Sequence, residues 1–246
     1  MLKICTVYFD GFYTPDYVSK LYRALKRNTT TPFEFICLSD TKDIEADLIL
    51  PYNKHDRIKK HWHKLKFFSP QFAYQQSEDD IIIMDIDQII VNNIDELLNY
   101  PVNYGELLTY GQWWNTKLKI NGGFYKFKSG SLKYIWDDFS KAVNFWQLHY
   151  YKTNKVQHKY YGEQNYVNWK IQEYQSKLLL TPQEWLCKYT NDYMENIKLN
   201  RMYCDKVNKD FMVLDVVNPA IKIIHFAGVG KTIHDCKANF ITENWK

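Results

Sequence analysis

Two spacings of apolar residues alternate along the chain. Unbroken or period-two runs at "KICTVYF" (3–9), "FEFICL" (33–38) and "DLIL" (47–50) predict buried strands. Between the first two, "TPDYVSKLYRALKRN" carries Val18, Leu21, Tyr22 and Leu25 at helical spacing, with Thr14 as N-cap and Pro15 at the first helical position. A strand, a helix and a strand in this order form a right-handed β-α-β crossover between parallel strands. A helix around Trp62 to Gln75 then leads to a strand through "IIIMDID" (81–87). Further on, the pattern predicts a strand at 120–127, a core helix striped by Ile135, Phe139, Ala142, Val143 and Trp146, a helix in "EQNYVNWKI", and a last strand "IKIIHF". The expected class is α/β: a Rossmann-like, mostly parallel central sheet flanked by helices. No repeat, low-complexity tract or linker divides residues 1–246, so one domain with a nucleotide-binding first half is expected.

Composition narrows the function more than the fold. With 46% hydrophobic and 24% charged residues the chain can build a large core and is not a disordered segment. A net charge of +4, spread over scattered lysines, argues against nucleic acid as the main ligand. Cys5, Cys37, Cys187, Cys204 and Cys236 form no CxxC pair and are odd in number, which predicts free thiols in a reducing compartment, the cytoplasm. No stretch reads as a signal peptide or transmembrane segment, so any membrane association is expected to be peripheral.

The chemistry concentrates at two places. Asp85 and Asp87 interrupt the most apolar strand of the chain at its carboxyl end, where open α/β sheets bind ligands. On a strand, residues i and i+2 share a face at about 6.6 Å, so the two carboxylates repel unless a cation lies between them. A hard divalent ion, Mn²⁺ or Mg²⁺, bridged to phosphates would resolve the conflict. The competing reading is a helix cap at Asp85 and a solvent ion pair at Asp87. Late in the chain, "HFAGVGK" combines His225, a possible third metal ligand, with Gly228, whose backbone a ligand can approach closely, and Lys231, a point charge suited to phosphate. Taken alone, His225 reads more often as a hydrogen-bonded core histidine, and the ligand reading gains weight only by coupling with Asp85 and Asp87. His61 and His63 lie two apart in an expected helix and do not share a face, so they are not read as a metal pair.

"TVYFDGFY", "HKLKFF", "IIIMDIDQIIVNNIDELL", "INGGFYKF", "GEQNYVNW" and "HFAGVGK" occur in an order and spacing that resemble the glycogenin and bacterial lipooligosaccharide galactosyltransferase family, retaining glycosyltransferases of the single-domain GT-A fold. The resemblance spans residues 4 to 231. It implies a nucleotide-binding half at 1–87 and an acceptor and donor-sugar half at 88–246. It implies a metal held by Asp85, Asp87 and His225, and a UDP-sugar donor contacted by Tyr8, Tyr13, Lys64, Asp85, Asn121, Gly122, Gly228 and Lys231. Within that set Tyr13 would stack on the uracil, and Gly228 with Lys231 would hold the diphosphate. Glu163 and Gln164 would line the reacting face, with Lys231 assisting departure of the diphosphate.

Three motifs depart from the family pattern. Thr232 and Ile233 follow the lysine in place of Pro-Trp, Glu163 stands for the usual Asp, and "NGG" replaces "NSG" at 121–123. The resemblance therefore does not fix the sugar. The function expected is transfer of a hexose from a nucleoside diphosphate sugar to a carbohydrate or other hydroxyl acceptor, with retention. A non-catalytic nucleotide-sugar-binding module and a sugar nucleotidyltransferase are the alternatives, and the latter lacks its Gly-rich basic loop after the first strand.

Overall fold

The computed structural model describes residues 1–53, 56–111, 118–189, 220–226, 233 and 239–246. Seven strands form the main sheet: β1 (Leu2–Tyr8), β2 (Glu34–Ser39), β3 (Leu48–Pro51), β4 (Asp80–Met84), β6 (Glu106–Gly111), β7 (Ile120–Lys128) and β8 (Lys177–Leu180), in the order β3-β2-β1-β4-β7-β6-β8. β7 runs antiparallel to both its neighbours, and the other strand pairs described in this sheet are parallel. A second sheet joins β5 (Gln88–Ile90), β10 (Ile223–Phe226) and β9 (Leu186–Tyr189).

Strand side chains alternate between two cores because successive residues point to opposite faces. Ile4, Ile82, Met84 and Phe124 pack with α1 (Asp16–Asn28) and β5, whereas Cys5, Ile81, Ile83 and Tyr125 pack on the other face. That second layer contains a 3₁₀ helix (Lys60–Phe68), α3 (Tyr134–Lys141), α4 (Val143–Lys152) and α5 (Glu163–Glu173). α2 (Asp95–Leu98) and α6 (Asn239–Asn244) complete the described α-helices. Burial on both faces explains why the first strands read as continuous apolar runs. No helix among the described residues is long and apolar enough to cross a membrane.

Several elements differ from their sequence-based prediction. α1 buries Val18, Leu21, Tyr22 and Leu25 as expected, but Pro15 is its N-cap and no side chain caps it. The helix expected over 62–75 is the 3₁₀ helix, which stops at Ser69 in extended conformation (φ −80°, ψ 121°) because Pro70 follows. The stripe through Ile135 and Trp146 spans two helices broken at Ala142 (φ −141°). β6 and β8 had no prediction: β6 follows Gly105, and β8 is a short strand at the sheet edge.

Candidate active site

β4 ends at Met84, and the chain enters the second sheet at Gln88. Asp85, Ile86 and Asp87 form the connection, so the aspartates lie just past the strand predicted to carry them. The ladder nonetheless reaches Asp85, whose backbone N–H donates to Gly123 O at 3.0 Å. Ile86 is buried in the α1-side core, whereas the flanking aspartates keep partial exposure.

Gly123 fixes this junction. A Cβ there would lie 2.9 Å from Gln88 Nε2, 3.0 Å from Asn121 Oδ1 and 3.7 Å from His225 Cε1, so a side chain at 123 would have to displace the two buried amides that meet there. Gln88, fully buried, donates to Gly123 O and accepts from the Tyr110 hydroxyl at 3.1 Å. Asn121 Oδ1 accepts from Gly123 N–H at 2.7 Å, and Thr109 Oγ1 donates to Asn121 O at 2.8 Å. His225 pairs with Gln88 in the antiparallel β10–β5 ladder, which brings it to the same glycine as Asp85. Gln88 and Tyr110 were absent from the sequence reading. A polar residue inside the apolar "DIDQII" run was the available signal for Gln88.

Lys64 is the centre of the polar cluster. The tight 3₁₀ turns bury its side chain (4% exposed), and its Nζ donates to Asp85 Oδ1 and to Gly122 O, each at 2.8 Å, with Glu163 Oε2 at 3.4 Å. Burial disfavours the ammonium, but Asp85 and Glu163 outweigh it and raise its pKa above the ordinary lysine value. Three protons thus face three oxygens, so this lysine holds the site's own backbone and carboxylates.

α5 brings two further residues. It starts at Gly162 with φ +111°, where a Cβ would lie 2.8 Å from Tyr150 Cβ, so glycine is required on both counts. The first turn delivers Gln164, whose Oε1 accepts from Gly122 N–H at 3.0 Å, and Glu163, which is 2% exposed. Burial pushes the Glu163 carboxyl pKa up; Lys64 pulls it down and Asp85 pushes it up, and the net direction is upward. Its Oε1 is buried and has no hydrogen-bond partner among the described residues.

On the opposite flank, Tyr13 donates its hydroxyl to Asp87 Oδ2 at 2.7 Å, its ring lies edge-on to Phe12 (4.8 Å), and Tyr17 packs beside it (4.7 Å). Tyr8 is buried and donates to Tyr13 O at 3.1 Å, which makes it a support for Tyr13. Burial and then the neighbouring Asp85 push the Asp87 carboxyl up to about 6. The pair is therefore short of positive charge even with Lys64 against Asp85.

The hard carboxylate oxygens of Asp85 and Asp87, with an imidazole across Gly123, are suited in chemistry to Mn²⁺ or Mg²⁺. Among the described residues, however, no three His, Cys, Asp or Glu side chains are gathered to hold a metal ion. The fit rests on donor chemistry and on the charge deficit of the aspartate pair. Gly228, Lys231 and Thr232 lie outside the described residues. His61 and His63 do diverge: His63 bonds Ile58 O at 3.0 Å, and His61 packs its ring on Tyr161.

Solved structures similar to this one are glycosyltransferases. Glycosyltransferase GlyE of Streptococcus pneumoniae TIGR4 superposes with a TM-score of 0.61 at 11% identity, covering 94% of this chain and 56% of that one. Galactosyltransferase LgtC, solved with donor and acceptor sugar analogues, gives 0.62 at 14% identity over 98% of this chain and 94% of that one. The bifunctional glycosyltransferase WbbM gives 0.55 at 11% identity, and the chain spans about half of its length. No family model and no curated protein sequence matches the chain. The architecture is thus the GT-A glycosyltransferase fold, which agrees with the expectation from the sequence.

Proposed function

We propose that the protein is a glycosyltransferase that moves a hexose from a nucleoside diphosphate sugar, a UDP-sugar, to a hydroxyl acceptor with retention. One observation carries this reading: in a GT-A fold, Asp85, the Gly122 backbone and Glu163 converge on a single buried lysine, Lys64, at the carboxyl edge of the sheet. Mn²⁺ or Mg²⁺ held by Asp85, Asp87 and His225 would supply positive charge for the departing diphosphate. Tyr13, held by Tyr8, orients Asp87 and offers its ring to the base. Asn121 and Gly122 are assigned to the donor sugar, and Gly228 and Lys231 to the diphosphate, on the sequence resemblance.

Glu163 and Gln164 come from one helical turn and occupy one side of the Gly122 loop. Glu163 Oε1, which has no hydrogen-bond partner among the described residues, can accept a hydrogen bond from a sugar hydroxyl, and its negative charge favours an oxocarbenium-like centre. In a front-face route the departing phosphate oxygen takes the acceptor's proton, so no separate base is needed. The test is to incubate the protein with Mn²⁺ and a panel of UDP-, GDP- and dTDP-sugars. Hydrolysis of a UDP-sugar, lost in EDTA and giving an α-configured first product from an α-linked donor by proton NMR, is expected. Full turnover in EDTA would refute the metal, and a β-configured product would refute retention.

A further inference from the structure

We infer that Gly122 and Glu163 form a compensating pair that sets where the acidic side chain meets the donor sugar. The inference has a structural half that stands alone and a specificity half that rests on the proposed function. Both residues depart from the family pattern, one by losing a side chain and the other by gaining a methylene. The two changes occupy the same space. A Cβ at 122 would lie 3.1 Å from Glu163 Oε2, 3.2 Å from Gln164 Cβ and 3.2 Å from the Tyr125 hydroxyl. Carbon contacts this short force a neighbour to move, and Tyr125, fully buried between the sheet and the second layer, has little room to do so.

The adjustable member is Glu163. Its Oε2 lies 3.4 Å from Lys64 Nζ, and the same ammonium bonds Gly122 O and Asp85 Oδ1 at 2.8 Å each. Displacing Oε2 would strain that arrangement and expose a buried lysine to a poorer set of acceptors. A side chain shorter by one methylene would withdraw Oε2 from the space above position 122 and leave a small void there. Glycine at 122 therefore permits the longer acid, and the longer acid fills what glycine leaves open. Because Glu163 Oε1 is the buried acceptor with no partner among the described residues, the pair also decides how far that acceptor reaches toward the sugar.

The test is a cycle of four proteins: wild type, Gly122→Ala, Glu163→Asp and the double variant. The melting temperature reads the structural half without reference to any reaction. Gly122→Ala alone is expected to lower it by about 3–6 °C, as overpacking does in a chain of this size. The double variant is expected to melt at least about 2 °C above the sum of the single effects. Gln164 Cβ and Tyr125 still crowd position 122, so the rescue is partial. Additive effects overturn the pair. If Gly122→Ala is insoluble, a soluble double variant supports the pair and an insoluble one overturns it. Hydrolysis of the UDP-sugar panel reads the other half: Glu163→Asp is expected to change the ratio of rates between two donor sugars about 10-fold or more. An unchanged ratio overturns the specificity half. Failure of all four proteins to turn over any donor removes the proposed function and this half with it, while the melting data still decide the structural half.

Discussion

Two buried lysines anchor opposite ends of the same sheet. Lys3, at the amino end of β1, places Nζ 2.9 Å from Glu34 Oε2, 3.8 Å from Asp79 Oδ2, and 3.3 and 3.1 Å from the carbonyls of Ala73 and Tyr74. Lys64, past the carboxyl end of β4, likewise faces two carboxylates and a carbonyl. The difference lies in what the carboxylates do next. Asp79 Oδ2 also accepts the Gln76 N–H at 2.8 Å, and Glu34 is partly open to water. Around Lys64, Glu163 keeps a buried oxygen without a partner among the described residues, and Asp85 has a second aspartate as neighbour. A satisfied buried ion cluster closes a sheet end, whereas an unsatisfied one is ready for a ligand.

The largest expected effect separates the two ends by activity. Asp85→Ala should lower donor hydrolysis by about 100- to 1,000-fold, the size of losing a preorganised electrostatic group, with a small change in melting temperature. Near-wild-type turnover would remove the carboxyl-end cluster from the chemistry. Lys3→Met should instead lower stability by about 1–3 kcal/mol, because the carbonyls of Ala73 and Tyr74 lose their buried donor, while Asp79 keeps the Met1 ammonium at 3.0 Å. Urea denaturation reads that loss, and the KM for donor should stay unchanged. Glu163→Gln is expected to keep the melting temperature within about 2 °C, since burial already disfavours the charged form, while reducing turnover about 10-fold or more. A large loss of stability would give Glu163 the same structural standing as Asp79.

A further difference is pH dependence. His63 lies next to Lys64 and is fully buried, and burial, then Lys66, pushes its pKa down to about 4. An unfolded histidine titrates near 6.5, so between about 6.5 and 4 the unfolded chain binds a proton that the folded chain refuses. Stability is therefore full above pH 6.5 and falls on acidification, by about 1.4 kcal/mol per pH unit inside that window. Denaturation midpoints measured from pH 7 to 5 should decline, and His63→Gln should make the decline shallower without abolishing it, because burial lowers the pKa of His61 as well, to about 3.

Elements whose burial is even on both faces were readable in the chain. β1, β2, β4, α1 and α5 matched the apolar runs and helical stripes that predicted them, because core packing and local pattern agree there. The 3₁₀ helix and the α3–α4 break were not readable from periodicity, because backbone geometry at Ser69–Pro70 and Ala142 overrides it. At the site, Asp85, Asp87, Asn121, Gly122, Glu163 and Gln164 do come together with Lys64. The lysine's partners were not legible: a charged residue in "HKLKFF" gives no sign that its side chain turns inward to Gly122 O. Gln88, Tyr110 and Tyr125 were missed since each is an ordinary strand residue until the register between β5, β6 and β7 is known.

The switch from one sheet to the other at Asp85–Asp87 also bears on biosynthesis. β5 emerges directly after the aspartates, but its described ladder partner, β10, is made more than a hundred residues later. Throughout that interval on the ribosome, Gln88–Ile90 lacks that ladder partner, and the three-stranded sheet that carries His225 does not exist. Pairing so distant in sequence closes slowly, after the local crossovers have formed. The two aspartates are thus among the early parts of the nascent chain to be positioned, and the histidine opposite them is among the last.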